Sequence, residues 1–335
     1  MRLLAVLSVG ILINLAYTFF TIDRQAIGEL QSFPWIYLLV VLAMSLLPWL
    51  TSTLRLAIWL NFLKQRTSLR EVFRAILASD VVSAVTPGAM GGGYYKLAWM
   101  IKRGLSAGSA ASVMVVGTLE EILFFALALP VILMLSPETV KLVSGDLFSE
   151  SLHSLQINKS MALSFSFGGV LAVAVVGVLI WRFLPLARRE QMRALVVSAK
   201  TQVSVARQTL RSLVAQGKWR ILLTMLLAGV QWTCRCALLV VLLKGLHYSI
   251  DTFEILLSQW LLFMFMALVP SPGATGGAEA GFHLVYHSLL PAGYLGLLSA
   301  SWRVLTFTLP VGLAAVLFLL LSRWRKEPTK LLDVV

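Results

Sequence analysis

Six long apolar stretches determine what this chain can fold into. They occupy residues 3–20, 34–63, 106–135, 160–181, 219–243 and 294–321. A hydrocarbon core about 30 Å thick is crossed by about 20 helical residues, so each stretch is long enough, or nearly so, to span a membrane. Only 13% of the 335 residues are charged, while 59% are hydrophobic. A soluble enzyme would need more surface charge, so the sequence predicts an all-α polytopic membrane protein.

The basic residues predict how the chain is oriented. With a cytoplasmic amino terminus, 21 of the 28 Lys and Arg residues fall in cytoplasmic segments and four fall outside. Cytoplasmic loops of membrane proteins carry such an excess, so both termini are predicted to be cytoplasmic. Most of the net charge of +13 is thus explained by topology rather than by nucleic-acid binding. The remaining three basic residues are Arg55, Arg235 and Arg303, and they lie inside predicted spans.

Two further apolar stretches are interrupted by the same pattern of proline and glycine. At an offset of 185 residues, the pattern is Pro87-Gly88-Ala89-Met90-Gly91-Gly92 in residues 75–101 and Pro272-Gly273-Ala274-Thr275-Gly276-Gly277 in residues 255–290. Proline removes a helical hydrogen bond and glycine permits non-helical backbone. Each stretch is therefore predicted to form a re-entrant helical hairpin, the first from the cytoplasm and the second from outside.

The two hairpins mark an internal repeat. Three predicted spans separate them, and because three is odd, the second copy is inverted relative to the first. Transporters use inverted 3+3 repeats to place a binding site near the membrane midplane. We predict a first membrane repeat in residues 1–135, an extracytoplasmic loop in 136–159, a second repeat in 160–321 and a cytoplasmic tail in 322–335.

The three intramembrane arginines predict an anion site. A charged residue in a span is unfavourable by about 2.5–3.5 kcal/mol unless it lines a cavity, finds a partner or reaches the interface. Beside two helix breaks, Arg55, Arg235 and Arg303 favour a cavity over interfacial tethering. Guanidinium groups bind phosphate in a bidentate manner, and half-helix ends offer backbone N–H groups. We predict that these arginines, Lys96 and the prolines and glycines of both patterns bind a phosphate-bearing lipid headgroup.

Two adjacent glutamates lie near the centre of the third span. Glu120 and Glu121 are too deep to remain charged alone, so at least one should pair with Arg55 or be protonated. Two interpretations stay open. In the first, a buried arginine–glutamate pair fixes helix packing. In the second, a carboxyl group exchanges protons between the two sides of the membrane and couples transport to a proton gradient.

The hairpins carry further ionisable residues. Asp80 lies on the first hairpin, and Glu279, His283 and His287 follow one another at steps of four on the second. This spacing suits zinc, but with no further ligand cluster we predict polar lining of the outward cavity, and no metal or cofactor. Glu279 balances only one of the two arginines in the second half. The excess positive charge is the predicted position of the anionic headgroup.

Residues 186–218 predict a basic amphipathic helix. Its basic residues recur at steps of seven and four: Arg193, Lys200, Arg207, Arg211 and Lys218. Val196, Val203 and Leu210 are expected on another face. Such a helix lies on the inner leaflet, where anionic lipid attracts each basic residue by about 1 kcal/mol.

Both glycine patterns resemble motifs of a known family. The chain is similar over nearly its whole length to the flippase-like transmembrane domain of lysylphosphatidylglycerol synthases, the multiple peptide resistance factor family, and to its stand-alone UPF0104-type relatives. The family motif PGGxGxxE resembles residues 272–279, with Ala274 at its third position. The family motif PGRxGE, followed by a basic residue, resembles residues 87–92 with Lys96 as the basic residue.

The resemblance implies lipid flipping across the bacterial inner membrane. Ala89 and Gly92 replace a charged pair of the family, and Glu120-Glu121 stands where relatives often have Glu-Arg, which leaves the substrate open. Polyprenyl phosphates, glycerophospholipids and hopanoid-like lipids all remain candidates. Aminoacyl transfer is not expected, because the membrane part takes up the 335 residues. A membrane-embedded hydrolase is not expected either, because the sequence shows no nucleophile with a base beside it. The alternative is a non-transporting partner that recruits a glycosyltransferase or lipid-modifying enzyme through residues 186–218.

Overall fold

The computed structural model describes residues 33–135, 186–248, 251–267, 269, 271–287, 289–290 and 292–323. Within these residues the chain forms ten α-helices and one π-helical turn, and no strand. The all-α prediction is therefore confirmed for the described part. The predicted spans 3–20 and 160–181 and the predicted loop 136–159 lie outside the described residues.

Four predicted spans are long apolar helices. These are α1 (Trp35–Phe62), α4 (Ala107–Leu135), α6 (Lys218–Gly245) and a continuous helical segment made of α9 (Ala292–Arg303), the π turn Val304–Thr308 and α10 (Leu309–Arg323). Each contains a stretch that is long and apolar enough to cross a membrane. Their outward side chains agree with this, since Leu38, Leu127 and Leu319 are 52%, 58% and 60% exposed. Apolar side chains in such numbers on the surface indicate contact with lipid rather than water.

The other five described helices lie between these apolar ones along the chain. They are α2 (Leu69–Val85), α3 (Met90–Lys102), α5 (Leu186–Gln216), α7 (Thr252–Ala267) and α8 (Gly277–Tyr286). The pairs α2–α3 and α7–α8 each pack together, and each is separated by one glycine pattern. The chain thus reverses at both predicted breaks. Their re-entrance from opposite sides of a membrane stays a prediction.

Local sequence explains where α2 starts and stops. Ser68 and Glu71 form a capping box, in which each side chain accepts a hydrogen bond of 3.3 Å from the other residue's backbone N–H. At the other end, Thr86 precedes Pro87 and takes an extended conformation. The residue before a proline disfavours the helical region, so α2 ends there.

The order of the helices is the same in the two halves. The series α1, α2, turn, α3, α4 is followed by α6, α7, turn, α8, α9–α10, and both α1 and α6 have 28 residues. This order agrees with the predicted internal repeat. The inversion of the second copy stays a prediction.

Each half has a hydrophobic core of its own. Trp59, Leu77 and Met100 centre the first core, while Phe282 and Trp302 centre the second. Each core also takes residues from the opposite half. Val41 of α1 lies in the second core, while Leu213 of α5 and Ala314 of α10 lie in the first, so the two halves interlock.

The basic helix α5 packs on the start of α4. The Gln202 side chain accepts a hydrogen bond of 2.9 Å from the Gly108 N–H, and Leu213 is fully buried in the first core. Arg207 and Arg211 are exposed, as predicted for a basic face. Val203 was expected on a separate face, but it is 67% exposed and lies beside these arginines. The outward face is therefore both basic and apolar.

Candidate functional site

The two glycine turns touch each other. The backbone of Pro87 pairs with that of Pro272 in an isolated antiparallel β-bridge. After each proline, both residues of the pairs 88–89 and 273–274 have left-handed φ angles between 53° and 60°. A left-handed alanine is disfavoured by about 1–2 kcal/mol, and such strain concentrates at functional sites. Two segments 185 residues apart thus adopt one conformation and meet.

A cavity of about 410 Å³, called here the first cavity, lies against both turns. Gly88, Ala89, Gly273 and Ala274 form part of its wall. Its polar and charged lining residues are Ser45, Trp49, Asp80, Ser83, Arg235, Arg303 and Thr306. Helices from both halves therefore enclose one cavity, and two of the three predicted arginines line it.

Arg303 stabilises the second turn, which follows Pro272. It is 2% exposed, its Nη2 donates to the Gly273 carbonyl oxygen, and its Nε lies 3.3 Å from Glu279 Oε1. Its guanidinium carbon is also 4.2 Å from the centre of the Phe307 ring. Glu279 in turn accepts a hydrogen bond of 2.7 Å from the Gly276 N–H. Arg303 therefore faces the cavity with its Nη2 and Nε atoms already engaged by Gly273 and Glu279.

Arg235 is differently placed. It is half-buried on α6, and its guanidinium carbon lies 5.5 Å from the centre of the Trp232 ring. In the part of the chain that the structure describes, no carboxylate oxygen lies within 4.0 Å of its nitrogens. Arg235 is therefore the cavity arginine with bonding capacity to offer a ligand.

A second cavity of about 270 Å³ shares a wall with the first. Its charged lining residues are Arg55, Asp80, Lys96, Glu120, Glu121 and Arg235. Asp80 and Arg235 line both cavities, so they stand at the boundary between them. The Trp49 indole N–H donates a hydrogen bond of 2.9 Å to Asp80 Oδ2 and orients this carboxylate.

The two adjacent glutamates have different environments. Glu120 is 1% exposed and accepts hydrogen bonds from Arg55, from Trp59 at 2.8 Å and from Thr224 at 2.6 Å. Glu121 contacts Arg55 Nη1 at 3.0 Å, and its side chain is 36% exposed. Glu120 is thus locked between three helices, while Glu121 keeps access to the second cavity.

Lys96 lies close to several of these charges. Asp80 and Glu121 attract its ammonium group, while Arg55 and Arg235 repel it. Among the described residues, no carboxylate oxygen lies within 4.0 Å of it. Lys96 is therefore a second cation, in the second cavity, that can take a new partner.

Several predicted site residues serve packing instead of lining the cavities. A Cβ on Gly92 would lie 1.9 Å from Ser83 Oγ, and one on Gly277 would lie 2.5 Å from a methyl group of Val269. These glycines allow close helix contact. Helix-end N–H groups, expected to face a ligand, are partly used within the turns: Gly91 donates to Thr86 Oγ1 at 3.0 Å, and Gly276 donates to Glu279.

The two histidines lie away from the cavities. His283 and His287 are exposed on the outer face of α8, with nearly parallel rings whose centres are 6.4 Å apart. Glu279, one helical turn before them, is buried against Arg303. Among the described residues, no three metal-ligating side chains come together. The predicted lining of an outward cavity by these histidines therefore has no counterpart at the two cavities described above.

The structure adds site residues that sequence reasoning did not find. Trp49 is one, since nothing in the sequence links it to Asp80. Thr306 and Phe307 are others, and they lie in the π turn that directly follows Arg303. Such turns often occur at functional sites, but no residue pattern announces this one.

Comparison with known proteins identifies a family of membrane proteins. Residues 4–315 match the family described as the lysylphosphatidylglycerol synthase TM region. A UPF0104 membrane protein from Archaeoglobus fulgidus is 23% identical over 310 residues, which cover 89% of this chain and 92% of the relative. No solved structure matches at a significant level. The resemblance predicted from the glycine motifs is confirmed, and the chain belongs to the lysylphosphatidylglycerol synthase transmembrane-region family of membrane proteins.

Proposed function

We propose that this protein is a lipid flippase that moves a phosphate-bearing lipid across the bacterial inner membrane and performs no covalent chemistry. The observation that carries this proposal is the position of Arg235. This guanidinium lines a cavity of about 410 Å³ against both glycine turns, and no carboxylate of the described residues is within 4.0 Å of it. Ionisable residues in membrane spans usually mark substrate pathways, so a cation that lines a cavity in this way is a candidate ligand contact.

The three arginines then have separate roles. Arg303 holds the second turn through Gly273 and Glu279, and Arg55 holds α4 through Glu120 and Glu121. Arg235 is left as the principal phosphate contact, since a guanidinium can bind two phosphate oxygens at once. Lys96, across the boundary formed by Asp80, would receive the headgroup on its way between the two cavities.

The glycine turns are the proposed moving parts. Each joins two helices through left-handed residues and contacts the other turn through a single β-bridge. A single bridge is easily separated, so the α2–α3 and α7–α8 pairs can shift relative to each other. In an inverted repeat such a shift closes one side of the site while it opens the other.

Glu121 is the proposed proton-handling group. It is the partly exposed member of the glutamate pair and lines the second cavity near Lys96. Glu120 is excluded from this role because three side chains already bind it in a buried position. Coupling to a proton gradient would therefore depend on Glu121 and Asp80.

The outward face of α5 is proposed to lie on anionic lipid of the inner leaflet. Arg207 and Arg211 are exposed there, with Val203 and Val214 67% and 49% exposed beside them. Valine can enter the headgroup region while arginine binds phosphate, which is the arrangement of an interfacial helix. This placement agrees with cytoplasmic termini.

Reconstitution into liposomes tests the flippase proposal. Lipids labelled on the headgroup with a fluorophore that dithionite bleaches report how fast the inner pool becomes accessible. The panel contains a polyprenyl phosphate, a glycerophospholipid and a hopanoid-like lipid without phosphate. We expect wild type to move a phosphate lipid and Arg235→Ala to reduce that rate by at least about tenfold, the loss of one charge-assisted contact.

The matched control is Arg220→Ala. Arg220 is exposed on the same helix, and its guanidinium carbon is 5.0 Å from the Phe62 ring, outside both cavities. This variant should transport like wild type. Wild-type rates equal to those of empty liposomes would refute the proposal, and transport of the hopanoid-like lipid alone would refute the phosphate assignment.

A further inference from the structure

An apolar groove lies behind the helix that carries Arg235. It has a volume of about 600 Å³ and is formed by α4, α6 and α7. None of the described residues that line it is charged. Aromatic rings form one side: Phe125 stacks on Trp260, with ring centres 5.1 Å apart, and meets the edge of Trp232 at 4.9 Å.

Trp232 separates this groove from the first cavity. Its ring lines the groove, lies under the Arg235 guanidinium at 5.5 Å, and contacts the ring of Phe263 at 5.7 Å. Phe263 itself lines the first cavity. One turn of α6 therefore presents Arg235 to the polar cavities and Cys234 and Cys236 to the apolar groove.

The indole nitrogen of Trp232 gives a second indication of a ligand. It is buried and has no hydrogen-bond partner among the described residues. Buried donors are rarely left without an acceptor. The oxygen atoms that join a lipid chain to its phosphate are acceptors of the kind that this N–H lacks.

We propose that this groove binds one hydrocarbon chain of the lipid whose phosphate is held by Arg235. The inference rests on the proposed function and adds to it a place for the chain. A lipid that crosses the membrane must keep its chain in apolar surroundings while its phosphate passes between polar groups. The groove and the cavity provide these two environments on opposite sides of a single tryptophan ring.

The two cysteines of the chain make the groove directly measurable. Cys234 and Cys236 both line it, and the sequence contains no other cysteine. In the Cys236→Ala variant, a small fluorophore on Cys234 reports on the groove. The probe is phosphatidic acid with a nitroxide on one acyl chain, which quenches nearby fluorophores in proteoliposomes.

We expect saturable quenching at Cys234 that unlabelled phosphatidic acid reverses. Diacylglycerol, which lacks the phosphate, should compete at least about tenfold more weakly, a difference of about 1.4 kcal/mol. Arg235→Ala should remove this preference for phosphatidic acid. Quenching that rises linearly with probe content, or no quenching because another part of the chain fills the groove, would overturn the inference.

Contact with bulk lipid needs its own control. Leu319 is 60% exposed on α10 and does not line the groove. A Leu319→Cys variant without the two native cysteines, labelled in the same way, should show only linear quenching. Transport of phosphate lipids without saturable quenching at Cys234 would refute the groove and leave the flippase proposal intact. Saturable quenching without transport would refute the flippase proposal alone.

Discussion

Removal of the Glu120 carboxylate should destabilise the protein far more than removal of its neighbour Glu121. Glu120 is 1% exposed and accepts four hydrogen bonds, two of them from Arg55 at 3.1 and 3.0 Å. Trp59 at 2.8 Å and Thr224 at 2.6 Å donate the others. Through these contacts one carboxylate joins α1, α4 and α6.

The expected loss of stability follows from the groups that each substitution leaves without a partner. Breaking a buried ion pair costs about 3–5 kcal/mol, and Glu120→Ala falls near the lower end because Arg55 keeps Glu121 as a partner. The orphaned N–H of Trp59 adds to this, whereas Thr224 can still donate to the Arg220 carbonyl oxygen at 2.7 Å, so we expect a total of about 4 kcal/mol. Glu121→Ala removes one contact of a side chain that is 36% exposed, and should cost about 1 kcal/mol or less.

Irreversible unfolding of a membrane protein is best followed as a half-life. The variants are heated in detergent, and the fraction that stays monodisperse is measured over time. Glu120→Gln keeps an oxygen acceptor for Trp59 and Thr224 and should lie between wild type and Glu120→Ala. Equal losses for Glu120→Ala and Glu121→Ala would refute this reasoning.

Glycine substitutions test the packing of the two turns. Gly92→Ala should disrupt the contact of α3 with α2, because its Cβ would lie 1.9 Å from Ser83 Oγ, whereas Gly93→Ala, with its nearest atom at 3.8 Å, should express and unfold like wild type. Gly273→Ala should shorten the half-life at elevated temperature, because its φ of +59° is strained for alanine and its Cβ would lie 2.2 Å from the Phe307 ring. Equal stability of the two neighbouring variants, or a wild-type half-life for Gly273→Ala, would contradict these contacts.

Much of the fold was predictable because it depends on local sequence. The predicted spans 34–63, 106–135 and 219–243 agree with the helices Trp35–Phe62, Ala107–Leu135 and Lys218–Gly245 to within two residues. Helix length is set by the apolar run itself, and proline or glycine near its ends marks the limits. The two helix breaks were predictable for the same reason.

The partners of the charged residues were less predictable. Sequence reasoning placed the excess positive charge on Arg235 and Arg303 together, but could not say which of them Glu279 binds. In the structure Glu279 pairs with Arg303, because the turn after Pro272 brings Gly273 and Glu279 to the same guanidinium. Such a contact depends on tertiary geometry, which spacing alone does not contain.

The contact between the two glycine turns was even less predictable from the sequence. A repeated pattern predicts two similar turns, yet the bridge from Pro87 to Pro272 needs two hairpins to meet tip to tip. Trp49 and Trp232 illustrate the same limit, since their neighbours Asp80 and Arg235 matter only once the helices are assembled. Both tryptophans look like core residues in the sequence, but in the structure they contact the charged side chains of the site.

The arrangement of charge suggests how binding and movement are linked. Arg55 with Glu120 and Arg303 with Glu279 are close buried pairs, one in each half. Between them, Asp80 and Lys96 have no ion pair within 4.0 Å among the described residues, and neither has Arg235. Within the close pairs the charges largely offset each other, so a phosphate is balanced most readily by Arg235 and Lys96. Asp80 is attracted by Arg235 and, more weakly, by Lys96. A phosphate bound to Arg235 would offset the first attraction, so the Asp80 carboxylate would turn to Lys96 or take up a proton, and either response changes the boundary between the two cavities.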